Sequence, residues 1–440
     1  MIKAEKDYSQ TIKEEVPVIE NLAKTNLQEA IEKLLVLEKK TRQASDVKSS
    51  EIVVQTVVRL FREAGDWKSM NEQVQLLAKK HGQLKQSVTA LIQEAIKAIE
   101  FAPSVDTKVE IIEGIRDVTE GKIFVEVERA RVTRTLADIK LSQGDLDKAA
   151  TILGELQVET YGSMDMREKT EFILKQVELY LRKGDFIQGQ IVSRKIVPRY
   201  FDDDSVQDLK LEFYKHKIDI ALHESKYLDI CQHYRSVYDT PQVKEDESKW
   251  KPTLENIVYF IILSPYDNLQ SDLIHKIELD SRLESLPQHQ QLIKCFTQIE
   301  LMRWPKIEEL YGPLLQSSTA FDVRTPEGKE RWNDLRKRVI EHNIRVVSKY
   351  YTRITTSRLT ALLDLSERET EEFLSRLVTQ GTVYARINRP EHIVTFAKPK
   401  DNNDVLNEWS NNIATLLSHV ETIGHLITKD EMMSGLKPRA

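Results

Sequence analysis

Residues 331–396 read RWNDLRKRVIEHNIRVVSKYYTRITTSRLTALLDLSERETEEFLSRLVTQGTVYARINRPEHIVTF, the one part of the chain that is not simply helix after helix. The stretch opens on a long helical pattern. Trp332, Leu335 and Val339 share one stripe, and Ile340, Ile344, Val347 and Tyr351 form a second beside it. Two apolar stripes on one helix imply contact on two sides. The segment Tyr351 to Ile354 is β-prone and too short to be more than an edge strand. A small helix follows with Leu359, Leu362, Leu363 and Leu365. Ser366 and Glu369 then stand at capping-box spacing, each side chain placed to satisfy a backbone N–H at a helix start. That helix presents Phe373, Leu374, Leu377 and Val378, and Gly381 supplies the left-handed residue that ends it. Val383, Ala385 and Ile387 alternate with Tyr384 and Arg386, Asn388-Arg389-Pro390 turns the chain, and His392 to Phe396 alternates again. Helix, strand, helix, capped helix, hairpin is the order of a winged helix.

A winged helix raises the question of DNA. Its third helix, the one that enters a major groove, carries Glu367, Glu369, Glu371 and Glu372 against Arg368 and Arg376. Four carboxylates facing a polyanion give the phosphate term the wrong sign. The sequence therefore favours a winged helix used for protein contacts, with edge strands open to a neighbour.

The rest of the chain sets this module in context. Among 440 residues only 14 are Gly and 13 are Pro, each near 3%, against roughly 7% and 5% in average proteins. So few turn residues predict a mainly helical fold. Charged residues make up 30% and the net charge is −6, which argues against a general nucleic-acid binder. Cys231 and Cys295 lie far apart and suggest two reduced thiols in cytoplasm or nucleus. Met1 to Glu20 alternates charges without the apolar core of a signal peptide. The longest apolar run, Ile257 to Leu263, is too short to span a bilayer.

A repeat organises the first half. Gly144-Asp145-Leu146 with Ala149 is echoed by Gly184-Asp185-Phe186 with Gly189 and by Gly65-Asp66-Trp67 with Met70. Thr25-Asn26-Leu27 with Ala30 and Ser225-Lys226-Tyr227 with Ile230 fit more loosely. These units start at 25, 65, 144, 184 and 225, and a weak unit near Ser104-Val105-Asp106 fills the long gap. In the close matches a glycine ends one helix, Asp caps the next, and a large apolar residue docks at once. A period near 40 with two helices per unit predicts a right-handed α-solenoid of TPR-like helix pairs, because a single pair cannot bury its own apolar face. The plainer reading is an irregular bundle with ordinary hairpin turns.

The expected organisation is a polar, loosely ordered arm over 1–20, the solenoid over 21–240, an irregular helical part over 241–330, the winged helix over 331–398 and a C-terminal bundle helix with its tail over 399–440. Six prolines from Pro241 to Pro313 break the irregular part. Within it Trp250 to Leu263 reads as a buried helix, His289 with Gln288 and Gln290 as a solvated loop, and Leu315 to Lys329 as a polar loop. After the winged helix, Leu406, Trp409, Ile413, Leu416, Val420, Ile423 and Ile427 are spaced 3, 4, 3, 4, 3, 4. That is an a/d seam three heptads long, suited to packing against helices of other subunits or against its own chain. Met432 to Ala440 reads as a frayed tail. The candidate partner interface is this seam together with Val383, Ala385, Ile387, Val394 and Phe396 on the strands of the wing.

No catalytic constellation stands out. The chain has no Gly-x-x-x-x-Gly-Lys loop, no Gly-x-Gly-x-x-Gly, no His-Glu-x-x-His, and no His-x-His with a downstream Asp. Neither a cofactor nor a metal is expected, and no enzymatic activity. Acid pairs such as Glu14-Glu15 and the run Asp202-Asp203-Asp204 read as solvated charge, and Lys39-Lys40-Thr41-Arg42 is one small basic cluster on an acidic chain.

A helical-repeat solenoid running into a winged helix and a bundle-forming helix resembles the PCI family. These are scaffold subunits of the proteasome lid, the COP9 signalosome and a translation initiation factor. Long words carry the likeness to the lid members: LLVLEKKTRQASD (34–46), KKHGQLK (79–85), GKIFVEVERARV (121–132), ETYGSM (159–164), WKPTLENIVYFIILSPYDNLQSDLIHKI (250–277), LMRWP (301–305) and RVIEHNIRVVSKYY (338–351). The resemblance implies a non-catalytic scaffold serving ubiquitin-dependent protein degradation in cytoplasm and nucleus. It also implies winged helices paired edge to edge and terminal helices gathered in one bundle. The implied partners are other PCI lid subunits, the zinc deubiquitinase subunit, the ATPase ring and the core particle, in a hetero-oligomer without nucleic acid or membrane. The related signalosome, or service in both complexes, is the alternative; nucleic-acid binding through the winged helix is a third reading.

Overall fold

The shortage of turn residues is matched by a chain that is 78% helical in the computed structural model, which describes residues 8–435. The chain divides into two compact units, one ending at Thr253 and one beginning at Leu254.

The first unit is a stack of helix pairs. The pairs are α1 (Ser9–Ala23) with α2 (Leu27–Gln43), α3 (Val47–Ala64) with α4 (Trp67–Lys79), and α5 (Lys85–Glu100) with α6 (Val105–Thr119). They continue with α7 (Glu126–Ser142) and α8 (Leu146–Gly154), α9 (Met166–Lys183) and α10 (Phe186–Ser193), α11 (Gln207–His223) and α12 (Tyr227–Tyr238). Each sequence junction falls between the two members of a pair. Gly65, Gly144 and Gly184 take φ of 72°, 85° and 85°, and Ser225 holds the same left-handed turn at 54°. Asp66 accepts from the Ser69 N–H at 3.2 Å and Asp185 from that of Gln188 at 3.1 Å. Asp145 instead binds the Lys148 ammonium at 2.7 Å. The weak unit is a full one, since Ser104 and Thr107 form a reciprocal capping box. The small or apolar residue three places on is buried: Ala30, Met70, Ala149 and Ile230 are each fully so.

Polar bonds between residues about one period apart tie successive pairs. Arg116 meets Glu155 at 2.7 Å, and Arg131 holds Glu168 through two nitrogens at 2.8 and 3.0 Å. Asn71 donates to the Glu110 carbonyl at 3.1 Å, in space that a side chain at Gly114 would fill. The buried Glu38 carboxylate is shared by Arg42 and Lys80, each at 3.0 Å. A charge so deeply placed is retained only with such partners.

One expectation for this unit changes. Residues 9–20 are not an arm: they belong to α1, whose Ile12, Val16 and Ile19 are buried against the stack. Spacings of four and three make one apolar stripe, which the charged residues between them hide at first reading. Residues 1–7 of the expected arm lie outside the described residues.

The short α13 (Pro241–Glu245) follows in the first unit, and the second begins within α14 (Glu247–Leu263), continuously buried from Ile257 to Leu263. Ser264 to Asp267 ends it, and α15 (Asn268–Glu278), α16 (Pro287–Thr297) and α17 (Trp304–Ser317) follow. Here the two expected loops are corrected. His289 is buried in α16, its Nε2 2.8 Å from the Tyr259 hydroxyl. Within 315–329, Leu315, Ala320 and Phe321 are buried, and Phe321 meets Tyr259 and Trp332 edge to face at 5.8 and 6.2 Å. Gly328 lets the Asp322 carbonyl approach where a Cβ would collide.

Helix α18 (Pro326–Tyr350) has the two expected faces. Leu335 and Val339 are buried and Trp332 packs on Trp304 at 5.5 Å, whereas Ile340, Ile344 and Val347 enter the core of the winged helix. Tyr351 stays exposed, past the helix end. The module continues with β1 (Arg353–Thr355), α19 (Thr356–Leu363), α20 (Glu367–Thr379), β2 (Arg386–Asn388) and β3 (Ile393–Thr395). After it, α21 (Asn402–Gly435) carries the heptad seam; Met432 to Gly435 extend this helix instead of fraying, and 436–440 lie outside the described residues.

Candidate interaction surfaces

The sheet of the winged helix has the order β1-β3-β2, antiparallel throughout, with Ile354 and Ile387 both opposite Val394. The strand expected at His392 to Phe396 is therefore central, and its backbone is paired on both sides. Val394 and Phe396 are buried with Val383 in the module's own core, and Ala385 and Ile387 pack half-buried against it. Within the chain these five side chains thus pack on the module's own core, because the face that alternation marks as apolar covers α18, α19 and α20. The free edges are the outer backbones of β1 and β2. Sequence alternation gave the period but not the neighbours.

Helix α20 opens on the expected capping box, with Ser366 and Glu369 satisfying each other's N–H at 3.1 and 3.3 Å. The Ser366 hydroxyl and amide hold the Glu369 carboxyl below its ordinary range. Glu371 receives Arg389 from the wing, with the Nε bond at 2.9 Å, and Glu367 stands 3.5 Å from the His392 ring. Arg389 of the wing is thus turned onto an acid of α20.

The seam on α21 behaves differently. Every residue from 402 to 434 is exposed, and the seven seam side chains range from 39% exposed at Ile413 to 64% at Trp409. Leu417 and Leu426, outside the seam, are as open as their neighbours. A soluble chain rarely leaves so long an apolar stripe uncovered unless another surface covers it.

The polar joints behind α18 carry no sequence signature. Asn343 clasps Met302, accepting from its N–H at 2.8 Å and donating to its carbonyl at 2.6 Å. His342 reaches the Glu300 carbonyl at 3.2 Å, and burial with nearby Arg345 pushes its pKa down to about 4. Burial likewise pushes His289 down. Cys231 is buried, and burial pushes its thiol up to about 12. Among the described residues no group of three or more His, Cys, Asp or Glu could hold a metal ion, and no helix is long and apolar enough to cross a membrane.

Stacked helix pairs followed in one chain by a three-stranded winged helix define a PCI-type subunit. Residues 290–398 match the PCI domain, 29–246 the family described as PSMD12/CSN4, N-terminal, and 403–435 the 26S proteasome regulatory subunit RPN5 C-terminal domain. The chain is 52% identical to the 26S proteasome regulatory subunit RPN5 of Saccharomyces cerevisiae, over 100% of its own length and 99% of that protein's. It is 41% identical to the 26S proteasome non-ATPase regulatory subunit 12 of Dictyostelium discoideum, over 98% and 96%. It is 25% identical to the COP9 signalosome complex subunit 4 of Drosophila melanogaster, over 70% and 73%. The chain belongs to the RPN5 (PSMD12) family of PCI-domain 26S proteasome regulatory subunits.

Proposed function

We propose that this chain is a non-catalytic scaffold of the proteasome regulatory-particle lid, the type counted as its fifth non-ATPase subunit, and that it supports ubiquitin-dependent protein degradation in cytoplasm and nucleus. The observation that carries the reading is the uncovered seam of α21, which coincides with the segment matching the RPN5 C-terminal domain. In this reading α21 enters a bundle with helices of other PCI lid subunits, and the edge backbones of β1 and β2 take strands from neighbouring winged helices. The helix-pair stack positions the zinc deubiquitinase subunit, the ATPase ring and the core particle, and restrains the deubiquitinase before the lid docks. No nucleic acid and no membrane takes part. The test is purification of the tagged chain from its own cells, wild type against Ile413→Asp, Leu416→Asp and Val420→Asp combined. Wild type recovers PCI lid subunits, deubiquitinase and ATPases; the triple variant stays folded and recovers none. Normal incorporation of the variant would overturn the role given to the seam.

The alternative is service in the COP9 signalosome, alone or in addition. It draws on the shared PSMD12/CSN4 N-terminal family and the 25% identity to a signalosome subunit. Signalosome chains in the same purification would decide for it.

A further inference from the structure

The last two turns of α18 wall a cavity of about 400 Å³ that the scaffold role does not use. Tyr266, α15, the segment Phe296 to Ile299 and Thr382 close its other sides. Arg345 and Lys349 are the charged side chains of its lining, His275 and His342 also line it, and no Asp or Glu does. In a chain where acids outnumber bases 70 to 64, a carboxylate-free cavity is not the default.

Arg345 is its centre. The guanidinium carbon lies over the Tyr266 ring, 3.7 Å from the centroid. Its Nε is shut from water and has no hydrogen-bond partner. Lys349 stands one turn further along the same helix face. The nearby carboxylates already have partners: Glu341, which also faces Arg345, holds Arg338, and Glu278 takes two lining residues, His275 at 3.5 Å and the Thr297 hydroxyl at 3.3 Å. His342 is committed to the Glu300 carbonyl.

We propose that this cavity binds a phosphate monoester, its oxygens taken by the Arg345 fork and the Lys349 ammonium with the Ser271 hydroxyl beside them. A planar fork held over an aromatic ring suits two oxygens of one anion. The volume is that of a small-molecule site. The ester is a free small molecule or a phosphoserine side chain, which share this chemistry.

The test titrates the full chain, in chloride buffer, with phenyl phosphate and with a serine-phosphorylated peptide beside its unphosphorylated form. Calorimetry is expected to give one saturable site for the ester with a Kd on the order of 1 mM or tighter. Arg345→Met, which keeps the stem over Tyr266, weakens it about tenfold, and Lys349→Gln roughly threefold. A peptide preference identifies a phosphorylated chain as the source; equal affinity identifies a small molecule. Lys349 is exposed, so its variant folds even where the Arg345 variant does not. No saturable binding of either ester, equal binding of the unphosphorylated peptide, or unchanged affinity in the folded variants would overturn the proposal.

Discussion

Asn343 of α18 holds Met302 by both its backbone N–H and its carbonyl, in a site closed to water. One side chain thereby completes the pairing of a residue that belongs to neither helix nor strand. Asn343→Ala leaves two buried backbone groups unpaired, and we expect a loss of roughly 2–4 kcal/mol in urea unfolding. Asn343→Asp is expected to cost at least as much, because its carboxylate faces the Met302 carbonyl. A loss below about 1 kcal/mol would mean that water replaces the clasp.

Ser225 occupies, at φ 54°, the turn that glycines occupy in three other junctions. Its side chain is exposed, so nothing is lost by removing it. Ser225→Gly is expected to stabilise the first unit by about 0.5–1 kcal/mol, and Gly184→Ala to destabilise it by about 1 kcal/mol. Thermal melts of the two variants should move in opposite directions.

Burial holds the His342 pKa at about 4, from an ordinary value of 6.5. Between these values the unfolded chain carries a proton there that the folded chain refuses. Stability from this residue is therefore complete above pH 6.5 and falls as pH drops toward 4, by about 1.4 kcal/mol per pH unit. Replacing His342 with Gln, which keeps a donor for the Glu300 carbonyl, should flatten the wild-type pH profile by one proton in that window. An unchanged slope would place the acid sensitivity on the other buried histidines.

Removing α21 by a stop after Lys400 should leave the unfolding midpoint of the remaining chain unchanged within about 1 °C, since its seam buries nothing in this chain. A fall of several degrees would show the helix folding back.

The chemistry that was legible in the sequence is local. Gly184-Asp185-Phe186 is a stop, a cap and a dock within three residues, and Ser366 with Glu369 is a cap within four, so both could be read without knowing the fold. The heptads of α21 are legible for the same reason. What escaped is relational. Alternation from His392 to Phe396 identifies a strand but not that Ile354 and Ile387 flank Val394 on either side. His289 sits in a glutamine-rich stretch, and only Tyr259, thirty residues earlier, explains its burial. Phe321 lies among polar residues and is buried by Trp332 and Tyr259. The cavity around Arg345 joins four separated segments, none of which carries a motif.

The bare stripe on α21 also sets how much of this chain can exist by itself. Side chains that meet nothing within the molecule meet each other between molecules, so crowding, and not unfolding, limits the lone chain. The concentration at which it stays dispersed is governed by its last 34-residue helix, and supplying the companions that cover this helix during synthesis should raise the yield more than any repair of the core.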